Sequence, residues 1–300
     1  MIVKNGSIAF PGRKDFQKLD LKIDQGKIVQ IGEDLSGDNV INAEGLLIFP
    51  GTIDPHVHFD EPGFTEREDF YYGSCAAVAG GVTTVIDMPC TSIPPVINLE
   101  NLKYKLNIVS QKSVVDFGFY GGVSGQCFND DFRGNMTDLA DYVLGYKTYF
   151  ISGMESFARL DFAQFRQVLR VAKELNRPVL LHAEDYDTVI AAEAQEKAKG
   201  SDWLNYYHSR LETAELIAIK NAVEIAAEVG ADLHIVHIGT AAAVALLADK
   251  AHITGETAPH YLEFSSDDFE RIGGALKTAP VVKSPGNADG LWRALMDGTL

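Results

Sequence analysis

The stretch GTIDPHVHFDEPG, residues 51–63, places His56 and His58 one residue apart at the end of an apolar run, with Asp60 just beyond. On an extended strand, residues i and i+2 project to the same side, so the two imidazoles share a face. The stretch also marks a change of rhythm. Before it, MIVKNGSIAF (1–10) and KLDLKIDQGKIVQIG (18–32) read as short alternating strands. Asn5-Gly6 and Gln25-Gly26 carry turn signals. VINAEGLLIFPG (40–51) continues the pattern, so residues 1–50 read as a small β-sheet unit.

Beyond residue 51 the chain alternates apolar runs with amphipathic stretches. The strand candidates are TIDPHVHF (52–59), TTVIDMP (83–89), VDFGFYGGV (115–123), GYKTYFIS (145–152), PVLLHAED (178–185), DLHIVHIG (232–239) and HITGETAPHY (252–261). Between them lie helical segments such as DFAQFRQVLRVAKELN (161–176) and ETAELIAIKNAVEIAAEVG (212–230), with Asn176 and Gly230 as stop signals. Apolar strands alternating with helices predict an α/β fold whose parallel sheet is covered by helices. Seven such strands, without a glycine-rich phosphate loop, fit a (β/α)8 TIM-type barrel over residues 51–300, short of its eighth strand.

Composition excludes several functions. Against 42 acidic residues stand 26 basic ones, a formal charge of -16. That balance argues against nucleic acid and anionic membranes, which need a positive footprint. No apolar run approaches the ~18 residues of a membrane span. The N-terminus lacks the layout of a signal peptide. Cys75, Cys90 and Cys127 are too few and too scattered for a disulfide framework, so a cytoplasmic setting is expected.

In a barrel, chemistry collects at the C-terminal ends of the strands. His56 and His58, His182 and His237 all fall there, from three different strands, and Lys147 sits inside an apolar run of a fourth. A lone histidine at a strand end is ordinarily a hydrogen-bonded structural residue. The joint pattern instead suits the ligand shell of a borderline divalent metal such as Zn²⁺, Ni²⁺ or Co²⁺. An ammonium group cannot ligate. A lysine that loses its proton in a dry site can take up CO₂ as a carbamate, whose two oxygens suit two metals about 3.5–4 Å apart. His234 and His252 read as structural, His208 as a capping or surface residue before a helix, and His260 as a strand-end residue facing the pocket.

With these residues in place, the chain resembles the cyclic amidohydrolases of the amidohydrolase superfamily: dihydroorotases, allantoinases and dihydropyrimidinases. The carrying motifs are GTIDPHVHF, EPGFTEREDF, GGVTTVIDMP, GFYGGV, GYKTYF, LLHAED, LHIVH, ETAPHYL and LWRALMDGT, in this order. The resemblance implies a metal-dependent hydrolase barrel with a small β-sandwich domain built from the chain termini. It implies two divalent ions, zinc being the expectation, with His56 and His58 on one, His182 and His237 on the other, and carboxylated Lys147 bridging them. A bridging hydroxide then opens a cyclic amide or ureide, and a homo-oligomer is expected. The family's general-base aspartate follows the eighth strand, so the resemblance implies that the chain is the N-terminal portion of a longer protein.

Dihydroorotases of this family hold the substrate carboxylate with residues whose positions here are Asp60, Cys90 and Ala279. An aspartate for an arginine exchanges a bidentate partner for a like charge, which disfavours a carboxylate there. The resemblance therefore leans toward allantoinase as much as dihydroorotase. Dihydropyrimidinases carry a tyrosine where this chain has Ser152. The remaining alternatives are hydrolysis of another small amide or ureide, and a non-catalytic scaffold homologue. The latter would be expected to have lost metal ligands.

Overall fold

A computed structural model describes every residue of the chain except Asp249. Strands β1 (Ile2–Ile8), β2 (Gln17–Asp24), β3 (Lys27–Gly32), β4 (Val40–Asn42) and β5 (Leu47–Ile48) form one five-stranded sheet. β1 runs antiparallel to β2 and parallel to β4 and β5. The β2–β3 hairpin turns at Gln25 and Gly26, whose φ values of 47° and 74° suit a tight hairpin turn.

Asn5-Gly6, expected as a turn, instead lies inside β1. The register with β2 slips between Val3 and Gly6, and Asn5 takes φ 65°, as in a β-bulge. The buried carboxylate of Asp20 holds the bulge by accepting the N–H groups of Asn5 and Leu35, both at 3.0 Å. Gly6 is required by space as well, because a Cβ there would stand 2.2 Å from Ile48 Cδ1.

The remaining strands are all parallel. β6 (Thr52–Val57), β7 (Val82–Asp87) and β8 (Asp116–Phe119) form one sheet. β9 (Gly121–Gly122), β10 (Tyr146–Tyr149), β11 (Val179–His182), β12 (Leu233–Ile235) and β13 (Ile253–Gly255) form another. β8 and β9 belong to one extended segment. Tyr120 N–H still bonds Asp87 O on one side, and Gly121 N–H bonds Gly145 O on the other, both at 3.0 Å. The described residues thus supply seven parallel strand positions in sequential order, as the alternation predicts.

Alternation within a strand separates two cores. Val179 and Leu181 join the large cluster that includes Phe165, Leu169, Ala218 and Ala222 of the covering helices. Leu180, between them, packs instead with Ile86, Met88, Tyr120 and Val236. Both faces are apolar, which explains the near-continuous hydrophobic runs. The helices Phe162–Glu174 and Glu212–Val229 form where expected. They stop at left-handed Asn176 and Gly230, with φ 53° and 66°.

One local expectation fails. His260 is on no strand: β13 ends at Gly255, and Pro259 opens a short helix, Pro259–Glu263. His208 is exposed at the end of the short helix Trp203–Ser209, just before the helix Glu212–Val229, in keeping with a surface residue ahead of a helix. Finally, the first and last parallel strands are tied together, for the Glu256 carboxylate just after β13 pairs with His56 Nδ1 on β6. No helix among the described residues is long and apolar enough to cross a membrane.

Candidate metal centre

The four strand-end histidines converge. Ring centroids are 5.3 Å apart for His56 and His58, 5.4 Å for His56 and His237, and 4.8 Å for His182 and His237. His182 Nδ1 lies 3.1 Å from His237 Nε2. His237 stands two residues past β12 with φ 44°, a conformation uncommon outside glycine and held only when the surroundings impose it. Hydrogen bonds to His56 and His58 fall on Nδ1, leaving each Nε2 without a protein partner among the described residues.

Lys147, on β10, has no exposure to solvent, and its Nζ has no hydrogen-bond partner among the described residues. It lies over the face of the Tyr149 ring, 5.1 Å from its centroid. Burial pulls its pKa from 10.5 down to about 7. Burial also lowers all four imidazoles, and the nearby Lys147 charge lowers each further. They are therefore neutral at pH 7, the form that ligates metal.

Carboxylates brace this cluster from behind. Glu184, with no solvent exposure, pairs with His182 Nε2 at 2.8 Å and accepts from Arg210 at 2.7 Å. Burial alone would raise Glu184, but His182 and Arg210 outweigh it and hold its pKa at about 2. Glu256 touches His56, receives the His237 backbone N–H at 3.3 Å, and meets His234 Nε2 at 3.3 Å. His234 is thus structural, as read, and its Nδ1 pairs with Thr254 at 2.8 Å. His252 is exposed and pairs with Asp232. Asp87, under the site, accepts the N–H of Phe59 at 2.9 Å and so fixes the backbone next to His58.

A cavity of about 960 Å³ opens beside the cluster. His56, His58, His182 and His237 line it, as do Cys90, Ser152, His260 and Ala279. Cys90 Sγ lies 2.9 Å from Tyr149 Oη and 3.7 Å from His58 Nδ1. Asp60 is not among the lining residues. It is partly buried, burial raises its pKa, and the Arg67 charge pulls it back without a direct ion pair. Asp60 thus stands a step back from where a carboxylate anchor belongs.

The donor set suits two ions. It offers four neutral imidazoles in two pairs and one buried amine with nothing to bind. Among the described residues no three His, Cys, Asp or Glu side chains form a single cage. A shared bridging ligand from Lys147 would supply what each histidine pair lacks. Sequence reading missed Glu184, Arg210, Glu256, Asp87 and Lys105. The available signal was position: Glu184 follows His182 by two residues, and Glu256 opens ETAPHY at the last strand end.

The sequence pattern described as "Amidohydrolase family" matches residues 47–277. An allantoinase of Deinococcus radiodurans is 36% identical over 291 residues, covering 94% of this chain and 64% of that protein. A dihydroorotase of Methanosarcina mazei is 34% identical over 317 residues, covering 99% of this chain and 66% of that protein. The chain thus spans just under two thirds of these curated relatives. The structure of the L-hydantoinase (dihydropyrimidinase) from Arthrobacter aurescens superposes with a TM-score of 0.92 at 27% identity, over 100% of this chain and 67% of that one.

Proposed function

Because the chain belongs to the amidohydrolase family, we propose that it carries the metal-binding half-shell of a cyclic amidohydrolase that opens a cyclic amide or ureide. The observation that carries this reading is Lys147: a buried, partnerless amine beside four neutral imidazoles. His56 and His58 would hold one divalent ion, His182 and His237 the other, and Lys147 would bridge them. Bound there, such ions would polarise a ring carbonyl and would make water acidic enough to attack near neutral pH.

The chain's own residues prepare that chemistry. With a pKa of about 7, Lys147 presents a substantial fraction of free amine at neutral pH. The amine lone pair adds to CO₂, forming N–C and releasing one proton, which leaves an anionic carbamate. Glu184 accepts the Nε2–H of His182, which fixes that tautomer and frees Nδ1 for a ligand bond. Glu256 does the same for His56 from the opposite nitrogen, keeping Nε2 free. The cavity takes a ring beside the histidines, and its size suits a small ligand.

Substrate choice within the group rests on the lining. Cys90 and Ala279 on the lining, and Asp60 near it, offer no cation for a ring carboxylate, and the allantoinase of Deinococcus radiodurans is 36% identical against 34% for the dihydroorotase of Methanosarcina mazei. We read the substrate as a ureide of the allantoinase or hydantoinase type in preference to a dihydroorotate. Metal analysis tests the core reading. About two equivalents of divalent metal per chain of full-length protein, with ring opening lost on chelation and restored by Zn²⁺, are expected. Fully folded protein that binds no metal would leave only a scaffold role.

A further inference from the structure

The helix Glu212–Val229 starts with a buried ion pair. Glu215, in its first turn, and Lys283 are each 2% exposed, and they meet at 3.3 Å. Such a pair adds little to stability compared with apolar side chains of the same volume, because both charges give up water. What sets this one apart is what else it touches. Glu215 accepts the backbone N–H of Gly239 at 2.8 Å and that of Thr240 at 3.1 Å, and the Thr240 hydroxyl as well. The Lys283 stem lies across Gly239, where a Cβ would stand 3.0 Å from Cε. Gly239 and Thr240 are the second and third residues after His237. His237 lies past the end of β12 in a left-handed turn, so these N–H groups need an acceptor from another element.

The same short segment grips the neighbouring ligand strand. Arg210, two residues before the helix, donates to Glu184 at 2.7 Å, and the Ala214 carbonyl accepts the Asp185 N–H at 3.0 Å. Glu184 and Asp185 are the second and third residues after His182. Residues 210–215 thus hold the same two positions after each of two histidines, one ending β11 and one just past β12. His56 and His58 are braced by other groups. Glu256 pairs with His56, and Asp87 holds the backbone beside His58. Glu256 also receives the His237 N–H, so it serves both histidine pairs, whereas residues 210–215 serve one.

We propose that residues 210–215 form a clasp that sets the spacing of His182 and His237, with Glu215 as its central positioning residue. The proposal rests on the reading of these histidines as metal ligands. Glu215 acts through the backbone that follows His237, and Arg210 acts through Glu184, which holds His182 Nε2. Two histidines bind one ion only when both nitrogens face a common point, so a shift of either backbone weakens that ion and spares the other pair. A carboxylate presents two oxygens in one plane to two successive N–H groups, a direction that apolar packing does not supply. Lys283 balances its charge.

The test replaces the pair without stranding a charge, by Glu215→Gln together with Lys283→Met. Co²⁺ is titrated into metal-free full-length protein and followed by visible absorption and equilibrium dialysis, with urea midpoints taken on the same samples. The replacement is also made in His56→Ala and His237→Ala backgrounds, each of which leaves one histidine pair intact. In the His56→Ala background Co²⁺ should bind about 10–100-fold more weakly once the clasp is changed, the scale of losing a group that orients a metal ligand. In the His237→Ala background, where the clasped pair is already broken, no further loss is expected. The urea midpoint should be unchanged or raised. Thr240→Val keeps the shape and removes one hydroxyl from Glu215. It should show the same pattern at about threefold or more, and it carries the test alone if the paired replacement fails to fold. Equal weakening in the two backgrounds, or no weakening in folded protein, overturns the clasp and leaves the metal centre standing. Wild-type protein that binds no Co²⁺ overturns both.

Discussion

Lys105 and Lys147 are equally sealed from solvent, yet their surroundings are opposite. Lys105 reaches in from the helix Leu99–Val109 to Asp87 at 2.5 Å and Ser92 at 2.8 Å, so its ammonium has partners in place. Through Asp87 it supports the backbone next to His58. Lys147 is buried among imidazoles and has no partner among the described residues. Burying a charge is tolerable when it is paired; burying one unpaired drives the group toward its neutral form. Burial therefore does not mark a lysine as chemical. The missing partner does.

The largest test of this contrast is Lys147→Met, which keeps the length and removes the amine. Ring opening should fall about 10⁴-fold, roughly 5 kcal/mol in barrier, with the denaturant midpoint unchanged or raised. Retained activity would reduce Lys147 to a second Lys105. The converse change, Lys105→Met, strands Asp87 in the core. Breaking a buried pair costs about 3–5 kcal/mol, to be read as a lower urea midpoint. If stability is untouched, the partnership between Lys105 and Asp87 carries none of the weight given to it.

A smaller effect is expected at Glu184→Gln, which weakens the grip on His182 and leaves Arg210 without its counter-charge. Metal retention against a chelator should drop about 10–100-fold while the fold persists. An unchanged metal affinity would show that Glu184 serves only Arg210. The smallest effect is in pH. The folded pKa of Lys147, about 7, lies below its ordinary 10.5, so between these values the folded chain binds fewer protons than the unfolded one. This contribution is complete above about 10.5 and is lost as pH falls to about 7. Metal-free wild type should thus gain midpoint relative to Lys147→Met between pH 7 and pH 9. A difference independent of pH would mean that Lys147 is paired after all.

Much of this was legible in the sequence. Seven apolar runs became seven parallel strand positions, because the alternation of strands and helices is a local, repeated signal. The four histidines and Lys147 stood out because polar residues at the ends of apolar runs violate the pattern around them. Lys105 did not, since in LENLKYKL it reads as one of several solvated helix charges. Only the packing of that helix shows which lysine turns inward. Asn5-Gly6 was misread because a bulge and a turn ask for the same backbone, and what decides between them is Asp20, fifteen residues away. Asp60 adjoins the histidine strand in sequence, but that strand contributes to the cavity wall only as far as His58, and later segments build the rest of the wall.

Glu256 has a consequence in time. Its carboxylate joins His56 on the first parallel strand to the backbone of His237 and to the last strand, across 200 residues of chain. A contact of that span comes with the full entropy of closing the loop, and such contacts form late. The chain can therefore assemble its middle strands and covering helices while the centre remains open. High metal affinity should appear only when Glu256 reaches His56, so that metal uptake during refolding times the meeting of the first and seventh parallel strand positions.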